Sequence, residues 1–139
     1  MTAFEAFVAA EGERVYQKYI DGTIRGQTSI AGQSFARANF MRRIEVLASA
    51  SPPDAGRRSL GDADRQLNVT YKQDVRDWPA AEYKRLLRKT QHEWVRYRDA
   101  MGKLAAAHWP GQTDVADLAR AQVTEDRLVE LTPEEGDVR

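Results

Sequence analysis

Residues 79–108 read PAAEYKRLLRKTQHEWVRYRDAMGKLAAAH. Apolar or semi-apolar side chains recur in this stretch at alternating steps of four and three residues, namely at Tyr83, Leu87, Thr90, Trp94, Tyr97, Met101, Leu104 and His108. This spacing predicts one amphipathic helix, which at about 1.5 Å per residue would be roughly 45 Å long. These eight residues form the apolar seam of the helix. Because a helix of that length cannot bury its seam alone, the rest of the chain must supply its packing partners.

The segment before this stretch continues the same spacing, with Leu60, Asp64, Leu67, Tyr71, Asp74 and Trp78 on one stripe. The turn at residues 77–79 is short, so this helix is expected to fold back antiparallel on the long helix. Further helices are predicted over residues 2–20, from Ser34 to about Ala50, and from Thr113 onward. The predicted fold class is therefore all-α, with four or five helices built around a long antiparallel helical hairpin.

Composition places one candidate boundary in the chain. Residues 49–58, SASPPDAGRR, contain two prolines and a glycine and nothing large to bury, which is typical of a linker. We expect an N-terminal helical segment over 1–50, a helical domain over 60–131 and a frayed tail over 132–139, organised as one compact unit.

The amino-acid composition and the net charge of the chain exclude several classes of function. The 139 residues contain no cysteine, so disulfides and thiolate chemistry are absent, and the formal net charge is zero. A neutral chain has no overall field that would draw it to nucleic acid, and no apolar run approaches a membrane span. The N-terminal residues make a poor signal peptide. We therefore expect either a cytoplasmic protein or a numbering that begins after a removed leader.

Catalysis is not indicated by any motif. His92 and His108 are the only histidines, and neither has acidic residues at the spacing of metal ligands. We expect His108 to be a core residue of the long helix. No nucleophile motif occurs, so we predict a protein that is not an enzyme, with no cofactor and no metal.

Four polar residues of the predicted hairpin stand on or beside its apolar stripes: Asp64 and Asn68 on the first helix, and Gln91 and Arg98 on the second. Antiparallel pairing would bring Asn68 close to Gln91 and Asp64 within reach of Arg98. A half-buried carboxylate needs a partner, and a guanidinium can supply two hydrogen bonds. We predict an ion pair between Asp64 and Arg98, either direct or bridged by water. The set is either a structural network that fixes the helix register or a group that contacts a ligand.

The same residues carry a resemblance to a known family. The first element is Asp64, Leu67, Asn68 and Tyr71, and the second is Gln91, Trp94, Arg98 and Asp99. Their order and spacing resemble the Asp-x-x-Leu-Asn-x-x-Tyr and Gln-x-x-Trp-x-x-x-Arg-Asp elements of the bacterial lysozyme-inhibitor LprI-like family. Residues 124–131, TEDRLVEL, are similar to the closing helix of that family. The resemblance spans about residues 62–131.

This resemblance implies a small helical domain, usually exported, that binds another protein. Named members bind and inhibit lysozyme, which implies a periplasmic or cell-envelope location. Members usually carry cysteines, one of them just after the Arg-Asp pair, where this chain has Ala100, Met101 and Gly102. The eight motif residues are expected to be structural.

Two surfaces are candidates for binding a partner. The segment from Asp21 to Gln33 is rich in glycine and is expected to be irregular, with Ile24 and Arg25 available for contact. The outer face of the long helix is basic and presents Arg85, Arg88, Lys89, His92, Arg96 and Lys103. The segment is either a plain connection or a binding loop, and the basic face is either solvated or a docking face for an acidic partner. Nucleic acid is the least favoured partner of this face, because the chain is neutral and its aromatic residues lie on the apolar stripe.

Two hypotheses of function follow. The first is a bacterial protein-binding module that inhibits a cell-wall hydrolase such as lysozyme, or that confers immunity against one. The second is a cytoplasmic helical adaptor or oligomerisation protein without inhibitory activity, and the sequence is compatible with a homo-oligomer.

Overall fold

The computed structural model describes residues 2–18, 25–48 and 59–132. These residues form five helices and no strand: α1 (Ala3–Lys18), α2 (Arg25–Ala48), α3 (Leu60–Asp77), α4 (Ala81–His108) and α5 (Val115–Leu131). The predicted all-α class is confirmed. The predicted linker at 49–58 and the tail from residue 133 lie outside the described residues, and the assignment of separate segments stays a prediction.

Helix α4 is the longest element and lies against both α1 and α5, while α2 covers α1 and α3 packs along α5. Aromatic side chains form a cluster in the core, where Phe7 stacks on Tyr97 at 5.6 Å between ring centroids and Phe4 stacks on Phe40 at 4.0 Å. The N-terminal helices and the predicted 60–131 domain therefore share one apolar core.

The apolar seam of α4 is buried through most of its length, at Tyr83, Leu87, Thr90, Trp94, Tyr97 and Met101. The last two predicted seam residues are exposed, so the expectation of His108 as a core residue is wrong. An α-helix drifts by about 20° per heptad relative to a 3.5-residue repeat. Leu104 stands three heptads after Tyr83, and by that point the helix has rotated far enough that Leu104 is 47% exposed. The next residue, Ala105, takes its place on the buried face and is fully buried.

Helices α3 and α4 form the expected antiparallel connection but do not pack directly on each other. Side chains join them near the turn, from Asp74 to Tyr83, and further along, from Asp64 to Arg98. Among the described residues, however, α3 packs along α5, and its backbone meets α4 only marginally. The helices of the hairpin are therefore splayed, and a groove runs between them.

The segment expected to be irregular is helical from Arg25 onward, which corrects that expectation. Its glycine at position 32 permits close helix packing, because a Cβ there would lie 3.0 Å from Val15 on α1. The Ser29 hydroxyl, also on α2, donates a hydrogen bond of 2.7 Å to the Gly12 carbonyl of α1. These glycines mark the contact between α1 and α2 and do not mark a loop.

Candidate functional site

The groove between α3 and α4 has a volume of about 400 Å³. Its walls are one stripe of each helix: Asp64, Leu67, Asn68 and Tyr71 from α3, and Arg88, Gln91, Trp94, Val95 and Arg98 from α4. Residues three, four and seven apart share a face of a helix, which explains why these side chains converge. All residues of the two sequence motifs except Asp99 line this groove.

The predicted ion pair between Asp64 and Arg98 is confirmed. The Arg98 Nη1 donates a hydrogen bond of 2.9 Å to the Asp64 carboxylate, and it bridges the groove at the end far from the turn. The Arg98 guanidinium also lies over the Trp94 ring, 5.2 Å from its centroid. Arg98 therefore closes one end of the groove and covers its largest aromatic residue.

We expect the Asp64–Arg98 pair to contribute a coupling energy of about 1 kcal/mol in a double-mutant cycle. The Asp64 side chain is 42% exposed and the Arg98 side chain 18%, so solvent screens the pair only in part. The measurement is urea unfolding of Asp64→Ala, Arg98→Ala and the double variant. Strict additivity of the two single effects would show that the bridge does not connect the helices in solution.

Asp99 faces away from the groove and links α4 to α5. Its carboxylate lies 3.7 Å from the Arg120 Nε and 3.6 Å from the Arg98 Nε. Arg120 packs closely over Gly102, where a Cβ would stand 2.7 Å from the same Nε. The chain thus fills the region after its Arg-Asp pair with the buried Met101 and with the Arg120 side chain.

Gln91 and Asn68 line the same groove, but Gln91 has its hydrogen bond on the other side. Its Oε1 accepts from the Arg127 Nε at 2.7 Å. Asn68 is exposed and has no hydrogen-bond partner among the residues that the structure describes. Gln91 therefore connects the groove to a charged cluster in the core.

That cluster joins α1 to α5 and was not predicted from the sequence. Arg127 is fully buried, and its Nη1 donates to Glu11 at 2.6 Å and to Glu130 at 3.1 Å. Glu11 also accepts from Arg14 on its own helix. Burial by itself would raise the pKa of Glu11, but the charges of Arg127 and Arg14 lower it to about 2. Glu11 is therefore ionised and paired at neutral pH.

The cluster continues toward the turn between α3 and α4. Asp74 lies 3.4 Å from the Lys18 Nζ and 3.9 Å from the Arg14 guanidinium, and it accepts a hydrogen bond from the Tyr83 hydroxyl. Glu11, Arg14 and Lys18 fall on one helical face of α1 at spacings of three and four. That spacing on an apolar helix is the signal that could have indicated a buried charged face.

Glu130 carries the largest upward pKa shift among the carboxyl groups in the described residues. Burial raises its pKa to about 7, and the nearby Glu11 adds to the rise, against the opposing effect of Arg127. The folded protein therefore holds this proton more tightly than the unfolded chain does. The stabilisation that results is complete below about pH 4.5 and is lost as the pH rises through about 7.

We predict that Glu130→Gln removes this pH dependence. The free energy of unfolding of the natural protein should fall relative to that of the variant between pH 4.5 and 7, by as much as about 3 kcal/mol. Guanidinium unfolding of both proteins at half-unit pH steps measures the difference. Parallel profiles over that range would show that Glu130 titrates normally in the folded state.

The basic outer face of α4 is largely neutralised within the molecule. Arg85 and Arg96 pair with glutamates three residues before them, and Lys89 lies 3.1 Å from Glu13 of α1. His92 is exposed. Arg88 was predicted to lie on this face but stands in the wall of the groove instead. Its spacing of three, seven and ten residues before Gln91, Val95 and Arg98 could have indicated that position.

The remaining candidate binding residues are described only in part. Arg25 is the first residue of α2, and its side chain is not described, while Ile24 lies outside the described residues.

In the described ranges no group of three histidine or acidic side chains could hold a metal ion. None of the described helices combines the length and the apolar character that a membrane span requires.

Comparison with known proteins gives one result. A family model described as Lysozyme inhibitor LprI matches residues 50–131, more than half of the chain. No curated protein and no solved structure gives a significant match. The match contains α3, α4 and α5, and so it contains both walls of the groove.

Proposed function

The chain belongs to the LprI lysozyme-inhibitor family, and on that premise we propose that it binds and inhibits a peptidoglycan hydrolase. Inhibition of a foreign hydrolase and immunity against a hydrolase from the same cell are two uses of the same binding activity. The observation that supports this proposal most directly is the coincidence of the motif residues with a groove open to solvent. A purely structural set of residues would be expected to close on itself in the core.

Recognition by this protein has to be local, because its net charge is zero and cannot steer a partner from a distance. Hydrolases that cleave glycosidic bonds work through two carboxyl groups in an open cleft. A cation presented to those groups would block the cleft. Arg25, next to Ile24 in the sequence, is our candidate for that cation. Arg85, Lys89 and Arg96 are the less favoured candidates because they already have acidic partners.

The test is calorimetric titration of the protein into a lysozyme that cleaves glycosidic bonds, and into a hydrolase that cleaves peptide bonds as the reference. We expect saturable binding to the former alone. Arg25→Ala should weaken it at least tenfold, or about 1.4 kcal/mol. Arg96→Ala is the matched control and should change affinity by less than threefold. Loss with Arg96→Ala and not with Arg25→Ala would move the contact to the outer face of α4.

The absence of binding to any hydrolase would instead favour the cytoplasmic adaptor. The family also supports a location in the periplasm or cell envelope, where such hydrolases act. Fractionation of cells that express the natural gene tests that location. Recovery of the protein in the cytoplasm alone would contradict it.

A further inference from the structure

The groove between α3 and α4 presents hydrogen-bond donors that the protein itself does not use. Arg88 is exposed and has no ion-pair or hydrogen-bond partner in the described part of the chain. The Asn68 amide and the Tyr71 hydroxyl also lack a described partner, and the Gln91 amide nitrogen remains available because its oxygen serves Arg127. Asp64, the one acid among the described residues of the walls, already accepts from Arg98.

The walls also have an apolar part. Leu67 and Trp94 are buried in the walls, and Val95 is 38% exposed. An occupant that matches the groove must therefore combine a negatively charged acceptor, further polar acceptors and an apolar side chain. A carboxylate that belongs to a protein segment has all three, because backbone carbonyls and a neighbouring apolar residue accompany it.

We propose that this groove binds a protruding segment of the partner protein in which an aspartate or glutamate stands beside an apolar residue. Arg88 contacts the carboxylate, Asn68 and Gln91 contact the backbone, and Val95 contacts the apolar side chain. The assignment rests on the proposed function, because it takes the partner to be a protein.

The shape of the groove distinguishes this contact from the proposed insertion of Arg25 into a hydrolase cleft. The groove is concave, so it receives a segment of the partner and cannot enter a cleft itself. Its volume of about 400 Å³ falls in the range of about 300–1,000 Å³ that ligand pockets occupy. An ordinary protein interface covers about 800 Å² on each side, so the groove and a second contact such as Arg25 can belong to one interface.

The charge of the groove favours a single carboxylate over a polyanion. Among the residues that the structure describes, Arg88 and Arg98 are the only cations in its walls, and Arg98 is neutralised by Asp64. Nucleic acid binding needs several cations that contact successive phosphates. One unpaired guanidinium matches one carboxylate, which it can grip with two hydrogen bonds.

The test is a titration of the ¹⁵N-labelled protein, followed by NMR, with two capped peptides, acetyl-Leu-Glu-Leu-amide and acetyl-Leu-Gln-Leu-amide. The glutamate peptide should shift the Trp94 indole signal and the backbone amides of the groove residues. The glutamine peptide should bind at least fivefold more weakly. Arg88→Ala should weaken binding of the glutamate peptide at least tenfold, whereas Arg85→Ala, one turn earlier on α4, should leave it unchanged.

Equal shifts with both peptides, shifts outside the groove, or loss with Arg85→Ala and not with Arg88→Ala would overturn the assignment. So would equal saturation by inorganic phosphate, because the site would then be a general anion site. A parallel titration with lysozyme separates the two proposals. No shift with lysozyme, together with groove binding of the glutamate peptide, would refute the proposed target alone. Lysozyme shifts that spare the groove would refute the groove alone.

Discussion

Replacement of Arg127 by leucine is expected to lower the free energy of unfolding by about 3–5 kcal/mol. Arg127 is fully buried and donates to Glu11, Glu130 and Gln91. Its removal would leave the Glu11 carboxylate in the core with Arg14 as its remaining partner. The loss of one member of a buried ion pair is costly because the other charge stays desolvated. Urea unfolding followed by circular dichroism measures the change.

A matched control lies on the same helix. Arg120 also pairs with two acids, Asp99 and Asp117, but it is partly exposed, and its replacement by leucine should cost about 1 kcal/mol or less. If Arg127→Leu were as mild as Arg120→Leu, the charged cluster would not be desolvated in solution. Partial recovery of stability in Arg127→Leu on addition of Glu11→Gln would support the uncompensated charge as the cause.

Trp94→Ala is expected to be comparably severe, at about 3–5 kcal/mol, the usual cost of deleting a buried aromatic side chain. Trp94 is 2% exposed and belongs to the apolar core, and Arg98 covers its ring beside the groove. The neighbouring Val95→Ala is the control, because that side chain is 38% exposed and should cost less than about 1 kcal/mol. Thermal unfolding of both variants measures the difference. Equal melting temperatures for Trp94→Ala and the natural protein would contradict the burial of the seam.

The seam of α4 was predictable because a helix with one buried face has apolar residues at a regular spacing in its sequence. Tyr83, Leu87, Trp94 and Met101 are buried as the spacing predicted. Leu104 was assigned wrongly because a seven-residue repeat was extended along a helix that turns every 3.6 residues. The ion pair between Asp64 and Arg98 was also predictable, since two polar residues on facing stripes of an antiparallel connection have few other partners.

The groove was not predictable from the same pattern. An apolar stripe shows that a helix face is buried but does not show which neighbour buries it. Helix α3 packs along α5, which follows it by almost forty residues, and the backbone of α4 stands apart from α3. The charged cluster was missed for a related reason. Glu11 and Arg127 are separated by 116 residues. As long as the partner of an isolated charged residue on an apolar helix is unknown, that residue is interpreted as a break in the apolar stripe.

The glycines of α1 and α2 show that the same residue type is compatible with two structures, a loop and a close contact between helices. Glycine near position 30 favours a loop by local propensity, yet it also permits two helices to approach closely. In this protein the close approach of α1 and α2 decides the structure, since a Cβ on Gly32 would lie only 3.0 Å from the Val15 side chain. The candidate binding segment is correspondingly shorter than the sequence predicted, and its described part begins in helical conformation at Arg25.

The central claim is that this protein inhibits a peptidoglycan hydrolase, and the most direct measurement is the rate at which lysozyme clears a suspension of bacterial cell walls. With increasing amounts of the natural protein, that rate should fall along a saturable curve that reaches its plateau near one molecule per lysozyme. A clearing rate that stays constant when the protein is present at about 100 μM, roughly a hundred times a micromolar Kd, would contradict the claim.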